Sequence, residues 1–318
     1  MQVLAIGEVL IDMLGTATTD PQAPTAQIFQ PFAGGAPANV AVAIAKLGGR
    51  SALISKVGND QFGRFLVNTL NNYQVDTQYV QQSEAKTALA FVSLDDSGER
   101  SFDFYLDNAA HTTICAEDIA KVNVGDDTIV HLCSGSFSTP GLSASAQALI
   151  SRAEQQQSVL CMDINYRPAF WKKDTPNIAQ SIFEAAAQMH IIKSSNEELE
   201  QLYGEQSEEV IQQWLSGTVQ LVLVTDGAQP VRYYTNAFNG ECQVPETTVK
   251  DTTAAGDSFI GGFLYSMSQS ITSFHQFSAF VEERQRLLEA VSFAMRCGAV
   301  TVTRFGAFEA LPTASDLT

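Results

Sequence analysis

The sequence Asp251-Thr252-Thr253-Ala254-Ala255-Gly256-Asp257-Ser258-Phe259 runs directly into Ile260-Gly261-Gly262-Phe263-Leu264. Small residues stand where a helix begins, so no side chain shields its free backbone N–H groups. Those amides and the helix dipole make an anion site. A carboxylate at Asp257 beside such a site is costly unless it has a role. A general base on a hydroxyl that attacks a phosphoryl group is such a role. From spacing alone, a small-residue loop with Asp257 as helix cap accounts for the same residues equally well.

Outward from this stretch, short apolar runs alternate with helical patterns. Residues 3–6 read as a buried strand ending at Gly7, and residues 40–47 as a helix opened by Pro37 and stopped by Gly48-Gly49. Further strands are expected at 52–57, 128–132, 159–164, 189–192 and 221–225. Helices are expected at 62–73, 142–156, 178–188 and near 208–215, and two long ones, 258–267 and 281–297, close the chain. Asp226-Gly227 and Asn239-Gly240 mark turns around an antiparallel section, 231–234 and 242–244. This alternation implies a three-layer α/β/α fold with a mostly parallel central sheet and sites at the carboxyl ends of its strands. Residues 87–106 differ, because TALAFVSLD, a DDSG turn and ERSFDFYL read as an antiparallel hairpin. With the polar stretch 16–27 and the run 28–32, they are too small for a domain. They read as a β-strand lid, about 13–33 and 86–108, on one domain spanning 1–318.

Composition bounds the partners. The 318 residues include 18 Lys+Arg against 35 Asp+Glu, a formal charge of −17, which argues against nucleic acid and anionic membrane. A hydrophobic fraction of 45% with 17% charged residues marks a globular chain. At this length roughly three-quarters of the unfolded surface is buried on folding, so no disulfide is needed. The five cysteines (Cys115, Cys133, Cys161, Cys242, Cys297) are odd in number and lack a C-x-x-C pair, and read as reduced thiols, most of them small core residues. His111, His131, His190 and His275 have neither metal-ligand nor triad spacing. The first residues, MQVLAIGEVLID, lack a basic segment and a small-residue cleavage site, and no run of eighteen apolar residues occurs. A cytoplasmic protein is expected. A dinucleotide-binding enzyme is disfavoured, because Gly7-Glu8-Val9-Leu10 follows the first strand instead of G-x-G-x-x-G.

The 251–262 stretch resembles the C-terminal motif of the ribokinase-like (PfkB) sugar kinases, and Gly34-Gly35-Ala36-Pro37-Ala38-Asn39-Val40-Ala41 resembles their N-terminal motif, with Gly58-Asn59-Asp60-x-Phe62-Gly63 after it. The resemblance extends from Gly7-Glu8-x-x-x-Asp12 to Gly306-Ala307-x-x-x-Leu311-Pro312. It implies a ribokinase-like fold and ATP-dependent transfer of a phosphoryl group to a sugar hydroxyl. Asp257 is then the base, and the amides of Ala254, Ala255 and Gly256 form the anion hole. Asp12, Gly34, Gly35 and Asn39 are sugar ligands, with Phe104 of the lid beside them. Lys193, Ser195, Thr225, Gly227 and Gly256 lie on the nucleotide side. Glu198, in Ser195-Asn196-Glu197-Glu198, matches a family element that organises Mg2+ through water. Ser195 replaces the usual Asn of that element, and Ala254 stands where many relatives carry Gly. Asp251, Thr253, Thr301, Gly306 and Ala310 fall where some relatives bind K+. A homodimer paired through the lid is also implied.

For the sugar, Asp163-Ile164-Asn165-Tyr166-Arg167-Pro168-x-x-Trp171 resembles the fructokinase and 2-keto-3-deoxygluconate kinase branches, with Arg167 aimed at the ligand. Alternation places Phe102, Phe104 and Leu106 on one face of their strand. Keto-deoxygluconate kinases have an Arg where Leu106 stands, and a buried sugar-acid carboxylate without that partner is poorly solvated. Fructose is therefore the expected substrate. 2-Keto-3-deoxygluconate kinase, ribokinase, aminoimidazole riboside kinase and a non-catalytic sugar-binding regulator are the alternatives.

Overall fold

Along the central strands, successive side chains feed two different cores. In the computed structural model, which describes residues 1–17, 27–94, 100–172 and 174–317, Leu4 and Ile6 of β1 (Gln2–Ile6) pack on one face and Val3 on the other. The same alternation recurs further along. Val130 and Leu132 share a face in β8 (Thr128–Cys133), as do Leu160 and Met162 in β9 (Val159–Asp163), while Ile129, Val159 and Cys161 point the other way. A period of two with both faces apolar is the mark of a sheet covered on both sides.

The remaining strands of this sheet are β4 (Arg50–Gly58), β5 (Val80–Ser83), β10 (Ile191–Ser195), β11 (Leu221–Asp226), β12 (Gln229–Thr235) and β13 (Asn239–Cys242), in the order β13-β12-β11-β10-β9-β8-β1-β4-β5. Pairing is parallel from β11 to β5, and β12 is antiparallel to both neighbours. One layer holds α4 (Pro140–Gln155), α5 (Ile178–Ala186), α6 (Asn196–Tyr203) and α7 (Ser207–Leu215), after the single turn α3 (Ala116–Ile119). The opposite layer holds α1 (Ala36–Lys46), α8 (Ala255–Ser270), α9 (Phe277–Glu282) and α10 (Arg284–Thr301), with α2 (Gln61–Asn72) toward the β4 edge. A second, four-stranded sheet forms the lid, in the order β3-β2-β6-β7, from β2 (Leu10–Ala17), β3 (Gln27–Gly34), β6 (Leu89–Leu94) and β7 (Arg100–Tyr105). Among the described residues no helix is long and apolar enough to cross a membrane, and all five cysteines are free.

Three sequence expectations need correction. The helix expected over 281–297 breaks at Glu283, whose φ of −83° and ψ of 93° are extended. The nearest buried apolar residues on either side, Val281 and Leu287, are separated by a polar stretch with no apolar side chain, so nothing in the sequence marked the break. Asn239-Gly240 is not a turn but the start of β13, pairing with Tyr234 and Tyr233. The turn lies earlier, where the Thr235 hydroxyl accepts the Ala237 and Phe238 amides. The lid begins at Leu10 instead of near residue 13, and the polar edge strand β5 had no sequence signal. The expected 95–98 turn and most of the 16–27 stretch lie outside the described residues.

Helix α8 is central to the site, because α1 and α10 pack against it at its glycines. A Cβ added to Gly261 would lie 2.7 Å from Ala43 Cβ, and one on Gly262 would lie 2.6 Å from Cys297 Sγ. This close approach sets the first turns of α1 and α8 side by side at the carboxyl edge of the sheet.

Candidate active site

The chain enters α8 through Ala254, whose φ of 59° and ψ of 11° are left-handed, a conformation that costs an L-residue roughly 1–2 kcal/mol. The turn draws the Ala255 amide back to the Thr252 carbonyl at 3.2 Å, and the Ser258 amide bonds to the Ala254 carbonyl at 2.8 Å. The amides of Gly256 and Asp257 have no acceptor among the described residues, as the first turn of a helix dictates. Of the three amides expected to receive an anion, that of Ala255 is thus already engaged in the turn.

Asp257, the third residue of α8, is 7% exposed. Two asparagine amides converge on it. Asn39 Nδ2, from the first turn of α1, donates to Oδ2 at 2.7 Å, and Asn165 Nδ2, two residues beyond β9, donates to Oδ1 at 3.1 Å. Burial raises the pKa of this carboxyl, while Asn39, Lys193 and Arg167 favour its charged form and Glu198 opposes it. Asn39 also carries a buried Oδ1 with no partner among the described residues. A ligand hydroxyl would satisfy such an acceptor.

Asp12, Gly35, Asn39, Phe104, Arg167 and Asp257 all border one open cleft of about 860 Å³ between the head of α8 and the lid. Gly34 closes β3 opposite Leu10, behind Asp12. Leu10, Leu14, Phe104 and Phe170 give the lid side an apolar wall, and Phe104 meets Phe170 edge-on with centroids 5.3 Å apart. Leu106 does not border the cleft. It packs with Phe104 against Leu10, Ala88, Ala90 and Ala109 beneath the lid. The Phe102 side chain lies outside the described residues. Across the cleft, the 250–254 turn is flanked by Val249 and Phe305, exposed by 58% and 69%.

Ser195, Glu198, Thr225 and Gly227 gather beside this cleft, at the adjacent carboxyl ends of β10 and β11. Ser195 and Glu198 form a reciprocal cap on α6: the Glu198 amide donates to Ser195 Oγ at 3.1 Å and the Ser195 amide to Glu198 Oε2 at 2.8 Å. Arg167 reaches the other Glu198 oxygen at 3.6 Å, so one side chain links the cleft wall to this carboxylate. Thr225 pairs in register with Ser195, and Gly227 turns the chain into β12 with φ 55°. Lys193, expected beside the nucleotide, is buried behind the Gly256 turn, with Nζ 3.0 Å from Asp163 Oδ2. Among the described residues no three His, Cys, Asp or Glu side chains cluster as metal ligands. A divalent ion here would depend on one carboxylate, water and phosphate oxygens, the usual manner of Mg2+, and Glu198 fits that part.

The Asp251 carboxylate clamps the turn before α8, accepting the Thr253 amide and hydroxyl at 3.0 and 2.7 Å and the Gly306 amide at 2.9 Å. Thr301 lies within α10, its hydroxyl bonded to Ser258 Oγ at 2.7 Å and to the Cys297 carbonyl at 2.9 Å. Ala310 is fully buried. The side chain of Thr301 is therefore engaged within the protein, and any cation in this loop would draw on backbone oxygens.

Sequence reasoning passed over Glu8 and Asn165. Glu8 borders the cleft at 5% exposure, and its Oε1 accepts the Ala36 amide at 3.0 Å, bracing the start of α1. Burial, with help from Asp257, pushes its pKa up to about 7 against those backbone amides and Arg167. Both residues sit two positions beyond the end of a parallel strand, and that location was the available signal.

The pattern described as pfkB family carbohydrate kinase matches residues 1–314. A probable fructokinase-5 of Arabidopsis thaliana is 36% identical over 319 residues, covering 99% of this chain and 95% of its own. A fructokinase of Xylella fastidiosa with bound ATP superposes with a TM-score of 0.90 at 36% identity, over 99% of this chain and 96% of that one. A fructokinase of Vibrio cholerae bound to fructose, ADP and calcium ion gives 0.85 at 32% identity, over 99% and 97%. With both motifs meeting at Asp257 and the likeness running the length of the chain, the protein belongs to the pfkB family of carbohydrate kinases.

Proposed function

We propose that this kinase is a cytoplasmic fructokinase that transfers the γ-phosphoryl of ATP to the 6-hydroxyl of D-fructose. The observation that carries the reading is the Asp257 carboxylate, held by Asn39 and Asn165 at the head of α8, on the floor of the cleft whose walls present Asp12, Phe104 and Arg167. Asp257 takes the proton of the attacking hydroxyl, and the open amides at the start of α8 face the charge that builds on the phosphoryl oxygens. Asp12 and Asn39 bind sugar hydroxyls, and Phe104 covers the ring. Ser195, Thr225 and Gly227 border the nucleotide. Mg2+, held through water by Glu198, neutralises phosphate charge when bound. A K+ ion belongs in the loop of Asp251, Thr253, Thr301, Gly306 and Ala310, which the Asp251 clamp closes. A homodimer through the lid covers Ile28 and Tyr105, exposed by 56% and 64%.

Fructose is favoured over a sugar acid because the lid wall is apolar and Leu106 stands in its supporting cluster. The relatives' names agree with this choice. Turnover on fructose, ribose, 2-keto-3-deoxygluconate and aminoimidazole riboside tests it, with the highest kcat/KM expected for fructose. A clear preference for the sugar acid would overturn the choice of sugar. Absence of ADP release with every sugar would favour a binding-only regulator.

A further inference from the structure

We propose that Lys193 and Asp163 form a buried positioning pair that holds a fixed positive charge beneath the phosphoryl-binding turn at Gly256. The inference rests on the phosphoryl-transfer reading above and extends it to residues outside the cleft. Asp163 is 0% and Lys193 3% exposed, with Nζ 3.0 Å from Oδ2. They are register partners on adjacent parallel strands, so the backbone fixes their spacing. Nζ also lies 2.9 Å from where a Cβ on Gly256 would stand, directly behind the turn that starts α8.

Stability does not account for this pair. Taking two ions out of water costs several kcal/mol each after relaxation, and an apolar pair of the same shape is often as stable or more so. Asp163 Oδ1 moreover has no partner among the described residues, so the pair is incompletely satisfied. Charge balance at the site supplies a reason. Among the described residues Lys193 is the only buried lysine or arginine, whereas Glu8, Asp163, Glu198, Asp251 and Asp257 are buried acids around the cleft, and the further buried acid, Asp118, is paired with Lys56 away from it. Burial works against the ammonium, but Asp163, Glu198 and Asp257 outweigh it and raise its pKa. A phosphoryl group arriving over Gly256 adds negative charge to a neighbourhood already rich in it. An ammonium secluded from water acts there with little screening and without touching the ligand. Asp163 keeps it charged and aimed.

The double variant D163N/K193M decides the matter, because it removes both charges while keeping shape. A kcat about 30-fold below wild type is expected, less than the roughly 100- to 1,000-fold lost with a direct oxyanion donor, since this charge acts from behind the turn. The KM for sugar should stay within about twofold, and the melting temperature should hold or rise. K193M alone strands the Asp163 charge and is expected to lose stability as well as turnover, whereas D163N keeps the ammonium and should retain more turnover than the double variant. A double variant within about threefold of wild-type kcat would overturn the inference and make the pair a packing feature. If wild type itself phosphorylates no sugar, the activity reading falls, and binding of ADP with aluminium fluoride still decides this inference. That affinity should drop about 30-fold in the double variant if the charge reaches the phosphoryl site, and unchanged affinity would overturn it.

Discussion

At the head of α8, Asp257 is 7% exposed and receives two asparagine amides, whereas across the cleft Tyr105 of the lid is 64% exposed and touches Phe91 by its ring. The floor is polar, buried and fixed by three elements, α1, α8 and the end of β9. The lid side is apolar, with Phe104 against Phe170 and Phe29 against Phe91. Proton removal requires one carboxylate held to within fractions of an ångström. Covering a sugar ring requires area and exclusion of water, which aromatic side chains on a small sheet supply. On the proposed reading, chemistry belongs to the buried polar floor and selection to the more exposed apolar wall.

Removing the proposed base should break this division most completely. Asp257→Asn is expected to lower kcat by about 100- to 10,000-fold, the usual worth of general-base assistance. Its melting temperature should hold or rise, because a buried charge with a raised pKa is removed. Asn165→Ala, which leaves Oδ1 of the base without its donor, should cost about tenfold in kcat at unchanged sugar KM, one hydrogen bond to a charged group being worth roughly 1.5–3 kcal/mol before the cleft rehydrates. Phe104→Ala, on the lid, should act oppositely, raising the sugar KM about tenfold with kcat within about threefold. Steady-state kinetics on purified variants separates these outcomes, and a kcat effect at Phe104 equal to that at Asn165 would erase the distinction.

The smallest expected effect concerns stability. Glu8, pushed up to about 7 by burial, binds more protons folded than unfolded between its ordinary value and that point. Its contribution to stability is therefore full at low pH and lost as pH rises through about 7. Glu8→Gln should be more stable relative to wild type at pH 8 than at pH 5, as read by thermal melts. A gap that does not change with pH would mean that Glu8 is ionised throughout.

The sheet and its helices were legible in the sequence because short apolar runs such as β1, β8 and β9 alternate with longer apolar stretches such as α1 and α8, each bounded by glycine, proline or turn residues. Features without an apolar run were not. The break at Glu283 falls in the polar run 282–286, where neither state leaves an apolar trace, and β5 is a four-residue edge strand of sequence VQQS. In the site, Asp12, Asn39 and Asp257 stood inside motifs and were found by them. Asn165 and Glu8 also stood inside quoted motifs but were given no role there, because their contacts with Asp257 and Ala36 emerge only once the strands are laid side by side. Lys193 and Asp163 stand thirty positions apart and meet only through the β9–β10 register.

The lid is not a separate body resting on the floor. Its first strand leaves at Leu10, just past Glu8, and its second returns at Gly34, paired with Leu10 and running straight into the turn that carries Asn39. Asp12 and Asn39 are thus joined by short lengths of the same chain, and Glu8 ties the two crossings together through the Ala36 amide. Substitutions on the wall and on the floor should therefore fail to sum. In a double-mutant cycle between Phe104 and Asn39, separate regions would give a coupling energy near zero, whereas a shared tether gives about 0.5–3 kcal/mol. Altering the sugar preference of this enzyme through its lid will accordingly carry a correction at the base, and selections made on one half will have to be repeated on the other.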